Sequence, residues 1–497
     1  MRPVPHGGEA AAILLLLALP AALLCAFLGN PALGAAVALA AVPAFALLRG
    51  SAPSGAGGRV LWLASAAAAL LLTMLGGEGR LLPATPDWLV RDAVLHDLVA
   101  QRWPFAYRVD GADRVLRAPL GLYLLPALAG KAAGLRAAHL ALWAQDTVAL
   151  AVVLRVFCAS GSRRRSLVVL AVFCVFGGWD MVGTLAVAAR HTLGDGAPFA
   201  IPDDIQWWDR LFQYSSVPTL VLWVPHHALA GWFVVALLLL HERGRLRVGA
   251  LMAGAGLSLV WSPFAAMGAA PFLLKAGIEA LRARAVRPLD VAAPAVLGVA
   301  LLPVALYLAS DGGGIARGFQ PLNTEFLLRY PAFLALELLP FAAVTAFPDR
   351  HGEGPSRSTW LVAVASLALI PFYRIGVSND FAMRASIPAL AILAIATGHA
   401  AATALERGGL RLAVVAGVVA VGSLTGLDEV WHTLRTPNGG ASTCDFVQAW
   451  DQSPYSRQMS DAIYLARRDT LPGLLRARNP HILVTGTTAE RCVDRRM

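Results

Sequence analysis

A chain of 497 residues that is 57% hydrophobic and only 14% charged, with a mean hydropathy of +0.62, lacks the balance of a soluble globular protein and reads as an integral membrane protein. The net charge of +10 does not point to nucleic acid, because the arginines cluster in short segments between apolar runs, where they anchor loops to the cytoplasmic face. No G-x-x-x-x-G-K-[ST], H-E-x-x-H or G-x-S-x-G segment occurs, which argues against nucleotide hydrolysis in the cytoplasm.

About 20 apolar residues cross a bilayer, whereas runs of roughly 10 to 14 re-enter or lie at the interface. Spans are predicted at 10–28, 31–48, 60–76, 137–157, 167–189, 217–240, 289–309, 331–347, 359–373, 385–404 and 411–427. The shorter runs 119–130, 248–260 and 263–274 contain or adjoin proline and read as re-entrant, or as short helices inside the bundle. The fold class is therefore all-α, a polytopic integral membrane protein with about 11–13 transmembrane helices, external loop helices and a small tail. Because another apolar run begins at Pro31, the first run is a retained span rather than a cleaved signal peptide.

Arg163 to Arg165, Arg243, Arg245 and Arg247, Arg282, Arg284 and Arg287, and finally Arg407 and Arg411 mark cytoplasmic loops. Placing them all on one side requires that 119–130 not cross and that 248–274 form a hairpin around Trp261, Ser262 and Pro263. The N-terminus then lies inside, and the expected location is a bacterial cytoplasmic (inner) membrane. Residues 1–427 form the transmembrane domain, with external loops at 77–136 and 190–216, and 428–497 form an extracytoplasmic tail. The tail holds only two cysteines, Cys444 and Cys492, which an oxidising compartment permits to bridge. It also carries a predicted helix over 456–468 and a strand over 482–485.

The first external stretch opens a helix at Thr85, Pro86 and Asp87, with Thr85 or Asp87 as its cap. Helical spacing puts Asp92 and His96 on one face, where a carboxylate can act as general base; the alternative is a surface helix with solvated charges. The second stretch holds Asp203 and Asp204, a pair able to bind a divalent cation such as Mg or Mn, beside tryptophans that read as an interfacial belt. Pro225, His226 and His227 fall inside an apolar span, where ionisable groups are costly and mark a functional cavity; the alternative is a structural pair bonded to neighbouring helices. The two histidines, being adjacent, do not share a helical face, which favours phosphate binding or proton transfer over joint metal ligation. Arg374 and Arg384 suit a lipid phosphate, while Asp380, four residues before Arg384, offers it an internal partner.

The acidic helix with Asp87, Asp92 and Asp97, the segment Ala118-Pro119-Leu120-Gly121-Leu122-Tyr123 after it, and the external tail together resemble the polytopic membrane glycosyltransferases of the C-type fold. Segments such as Gln213-Tyr214-Ser215-Ser216 and Trp261-Ser262-Pro263-Phe264 also resemble those of uncharacterised bacterial membrane proteins. The first resemblance implies transfer of a sugar from a polyprenyl-phosphate donor to a glycan, lipid or protein acceptor on the outer face. Asp92 is then the base, with Asp87 or Asp97 as substitutes. His226 or His227 assists at the phosphate, and Arg374, Arg384, His96 and Asp380 line the substrate site. A transporter or flippase of a lipid-linked substrate and a non-catalytic envelope-assembly subunit are the competing expectations.

Overall fold

The computed structural model of the chain describes residues 8–49, 56–196, 198–202, 204–346, 352–376, 379–435, 440–457, 459–484 and 491–492. Apolar runs rich in alanine and leucine form helices that start at side-chain caps or at proline. Asn30, Ser162, Ser216, Ser262, Asn323, Ser356 and Asn379 each accept a backbone N–H of the first turn that follows.

The first three helices, α1 (Gly8–Phe27), α2 (Pro31–Phe45) and α3 (Ala56–Leu75), lead to a segment outside the helical bundle. That segment comprises α4 (Trp88–Ala100), the hairpin β1 (Phe105–Val109) and β2 (Ala112–Leu116), and α5 (Leu124–Ala133). The bundle continues with α6 (Leu135–Phe157), α7 (Arg163–Val175), α8 (Asp180–Asp195), α9 (Val217–Trp223) and α10 (Pro225–Glu242). Next come α11 (Val248–Leu257), α12 (Pro263–Arg282), α13 (Pro288–Ala309), β3 (Arg317–Phe319), α14 (Thr324–Glu337) and α15 (Leu339–Thr345). The chain ends with α16 (Arg357–Leu369), β4 (Tyr373–Ile375), α17 (Asp380–Ala385), α18 (Ile387–Arg407), α19 (Gly409–Arg435), α20 (Phe446–Gln452), β5 (Leu465–Arg467) and β6 (His481–Val484).

Among the described residues, eight helices are long and apolar enough to cross a membrane, or nine if α14 and α15, bent by 42°, count as one span. The predicted spans 31–48 and 359–373 appear as shorter apolar helices, and 217–240 is broken at Val224. The run 263–274 does not stop where its apolar stretch ends. It extends to Arg282 as the 20-residue α12, because Lys275 stays in the helix by pairing with Glu242 at 2.5 Å. α11 precedes it, with Trp261 and Ser262 at the turn between them, so the run read as too short to cross belongs to a helix long and apolar enough to do so. Every residue of α10 from Pro225 to Leu240 is buried, so α10 is the axis of the bundle. Leu39, Leu63 and Val299, each more than 70% exposed, lie on outer helices, as a lipid-facing surface demands.

The arginine clusters gather at one end. Arg49 N–H donates to the Arg245 carbonyl, Arg243 to the Val156 carbonyl, Arg247 grips Asp290, and Arg165 reaches Glu353 and Glu406. At the other end the segment from α4 to β2 and the tail form one cap. Its four-stranded sheet runs β5-β2-β1-β6, with β6 parallel to β1 and β5 antiparallel to β2. The hairpin turns at Asp110 and Gly111, both at positive φ. A disulfide joins Cys444 to Cys492. The largely helical architecture thus carries a small mixed sheet that an all-α reading omits. Two tail expectations change with it: 456–468 is not a helix, the helix being α20, and the strand near 482 is β6, which spans His481–Val484.

Candidate functional site

The span α9–α10 breaks because Pro225 has no N–H to give, and the carbonyls around the break need other donors. The cap supplies them: Trp88 Nε1 donates to the Leu222 carbonyl at 3.1 Å, which docks the start of α4 on the break. Asp87 stands at the cap position of α4, yet its carboxylate does not bond the helix backbone. It accepts instead from Arg91 Nη2 at 2.8 Å and from the Tyr455 hydroxyl.

Arg91 is 6% exposed, and its other arm meets His226 Nδ1 at 2.8 Å. A guanidinium offers no lone pair, so Nδ1 accepts and the ring proton sits on Nε2. The His226 and His227 rings lie 3.9 Å apart between centroids, since both occupy the first turn after the break. His227 Nδ1 is 2.7 Å from Ser262 Oγ, the cap of α12. Arg384 on α17 pairs with Asp380 and lies within electrostatic reach of both imidazoles and of Tyr464. Two glycines permit this approach: a Cβ at Gly268 would collide with the Ala385 carbonyl, and one at Gly231 would stand 2.7 Å from Ile387.

Burial opposes the charge on Arg91, but Tyr123, Asp87 and Tyr464 around it more than offset that and raise its pKa. Burial also pushes the Tyr455 and Tyr464 phenols up, so both remain hydrogen-bond donors. The assembled group is therefore two guanidiniums, two imidazoles, two carboxylates and the tail's tyrosines. Asp87, Asp380, Arg384, His226 and His227 were legible candidates. Arg91, Tyr455 and Tyr464 were not, although the i,i+4 spacing of Asp87 and Arg91 would have flagged one of them.

The other candidates lie elsewhere. Asp92 and Asp97 lie on two other faces of α4 and bond the cap's own elements. Asp92 is 1% exposed, pairs with Arg80, lies 3.9 Å from His139 and accepts from Ser442 N–H. The expected meeting of Asp92 with His226 and Arg384 is thus replaced by one with Asp87, because residues 87 and 91 share a helical face that 92 does not. Asp97 accepts from the Tyr107 hydroxyl at 2.6 Å and from Phe446 N–H at 2.8 Å. His96 donates toward Asp97, so it serves the same joint rather than the histidine cluster. Arg374 lies in β4 and donates to the Gly376 carbonyl.

Asp203 lies outside the described residues. Asp204 accepts from Gln206 N–H at 3.1 Å and caps a short turn, and among the described residues no three His, Cys, Asp or Glu side chains converge as ion ligands. No protein-family model, curated protein or solved structure matches this chain.

Proposed function

We propose that this protein is a membrane glycosyltransferase that moves a sugar from a polyprenyl-phosphate donor to an envelope glycan, lipid or protein acceptor at the outer leaflet of a bacterial cytoplasmic membrane. One observation carries the reading: Arg91 bridges Asp87 and His226, with Arg384 beside them, at the bundle end opposite the arginine clusters. On the charge rule that places those clusters in the cytoplasm, the site faces outward.

In this reading Asp87, 20% exposed, takes the proton of the acceptor hydroxyl as that oxygen attacks the anomeric carbon. The bond from that carbon to the phosphate oxygen breaks, and polyprenyl phosphate leaves with the electron pair. Arg91 and Arg384 hold the phosphate and stabilise its growing charge, and His226 Nε2–H adds a donor. The Asp203 and Asp204 loop remains our candidate for a divalent cation.

The test is transfer from radiolabelled polyprenyl-phosphate sugars by the full chain in liposomes. Asp87→Asn lowers the rate by about 10²–10⁴, the usual worth of a positioned base, and Asp92→Asn lowers it far less. Equal rates for Asp87→Asn and the parent would reject the base assignment, and a parent inactive with every donor would reject the reaction. A transporter is favoured by a different observation. Glu78 faces Asp146, and Asp180 faces Glu337, all four fully buried, and carboxyl pairs at such depth commonly line ion or proton routes. Substrate-dependent proton flux across sealed vesicles without sugar transfer would select it.

A further inference from the structure

Away from the histidine cluster, a cleft of about 600 Å³ opens on the cap between the β1–β2 hairpin and the tail. Asp113, Arg467, Arg468, Asp469, Arg476 and Arg478 line it. Four guanidiniums thus face two carboxylates, and those carboxylates are already engaged. Asp469 takes Arg467, while Asp113 takes Arg108 at 2.6 Å and lies 3.8 Å from Arg468. Arg468 is braced by the Ala477 and Arg478 carbonyls, which holds its fork in place. Arg476 and Arg478 are exposed.

The cleft stands at the rim of the apolar bundle. Asn30, at the turn between α1 and α2, donates to the Leu474 carbonyl at 2.9 Å, and the turn Gly473–Leu475 packs against α13. Leu474 itself is 62% exposed. Phe27, Leu28, Leu471 and Leu475, all buried, back the cleft beside Arg468 and Arg476, and Leu474 is the apolar side chain that reaches the surface there. Excess positive charge therefore adjoins apolar side chains at the level where membrane helices end, an arrangement that suits a phosphate head attached to a hydrocarbon tail.

We propose that this cleft binds the phosphate headgroup of an anionic membrane lipid and so seats the tail on the bilayer surface. The site is separate from the His226 cluster and does not depend on its chemistry. The test uses the full chain in detergent, incubated with phosphatidylglycerol or with phosphatidylcholine of the same acyl chains, and reads bound lipid by native mass spectrometry. The parent retains phosphatidylglycerol over phosphatidylcholine. The double variant Arg476→Gln, Arg478→Gln loses about thirtyfold in that affinity, at roughly 1 kcal/mol per arginine, with its thermal midpoint unchanged because both side chains are exposed. Leu474→Ser weakens phosphatidylglycerol binding in the same assay. Equal retention of the two lipids, or a double variant that binds like the parent, overturns the proposal. Displacement of the lipid by inorganic phosphate alone would mark a free-anion site and overturn it as well.

Discussion

The two ends of the bundle bury their cations differently. At the arginine-rich end three buried cations meet carboxylates: Arg247 meets Asp290, Lys275 meets Glu242, and Arg165 lies between Glu353 and Glu406. At the cap end Arg91 shares the Asp87 carboxylate with Tyr455 and turns its other arm to an imidazole, and Arg384 adds a second positive charge nearby. Matched pairs neutralise charge and lock helices together. The cap-end group is balanced in charge, two guanidiniums against two carboxylates, but Arg91 turns one arm to a neutral imidazole and so keeps a donor for an anion, which is why the cap end is our functional site.

Breaking one member of each arrangement separates these roles. Asp290→Ala leaves Arg247 buried without its carboxylate, and loss of one partner from a buried pair costs about 3–5 kcal/mol. The thermal midpoint of the full chain in detergent therefore falls further than it does for a substitution at the cap end, and an unmoved midpoint would contradict the locking role. Replacing Cys444 and Cys492 by serine frees a loop of 48 residues and removes about 2–4 kcal/mol. Hydrogen exchange should then quicken in α20 and β6, while the helices at the arginine-rich end keep their protection.

Arg91→Gln and Arg384→Gln sharpen the contrast from the other side. Each removes a charged donor worth roughly 1.5–3 kcal/mol, so affinity for a polyprenyl phosphate drops by about ten- to a hundredfold. Equilibrium binding of a fluorescent polyprenyl phosphate measures it; an Arg282→Gln control at the opposite end leaves binding unchanged. Tyr455→Phe removes one hydrogen bond to Asp87, about 0.5–1.5 kcal/mol, and should lower transfer modestly without changing the fold.

The smallest effect is that of pH on His96 in the cap and on Asp209 beside α14. Asp97, 3.1 Å away, raises the His96 pKa above its ordinary 6.5, although partial burial pulls the other way. Burial pushes the Asp209 carboxyl up to about 6. Both folded values lie above the unfolded ones. The associated stability is thus fully present below the unfolded pKa, and is lost as pH rises through about 6 for Asp209 and through the raised value for His96. Measured against His96→Gln, the parent should gain in thermal midpoint as the pH falls from 8 to 5, and equal pH profiles would remove the role assigned to His96.

Much of the bundle was legible because a bilayer imposes one rule on sequence: a helix that crosses must be apolar along its length. The Cys444–Cys492 bridge followed from compartment and number. The Asp110-Gly111 turn was a readable hairpin signal that an all-helical reading passed over. Its partners β5 and β6 lie some 350 residues further along the chain, and no local pattern announces such pairing.

The order of residues alone determined that this chain has helices long and apolar enough to cross a membrane, which ends of them carry the arginines, and that a proline and two histidines interrupt an apolar run. Tertiary structure decided which carboxylate meets them. Asp87 and Asp92 have the same chemistry and lie five positions apart, but packing of α4 against α5, α6 and α20 turns one toward Arg91, the partner of His226, and the other toward Arg80. Composition and spacing fix what a side chain can do, whereas its partner depends on the angle at which one helix docks on another, a property of the packed whole.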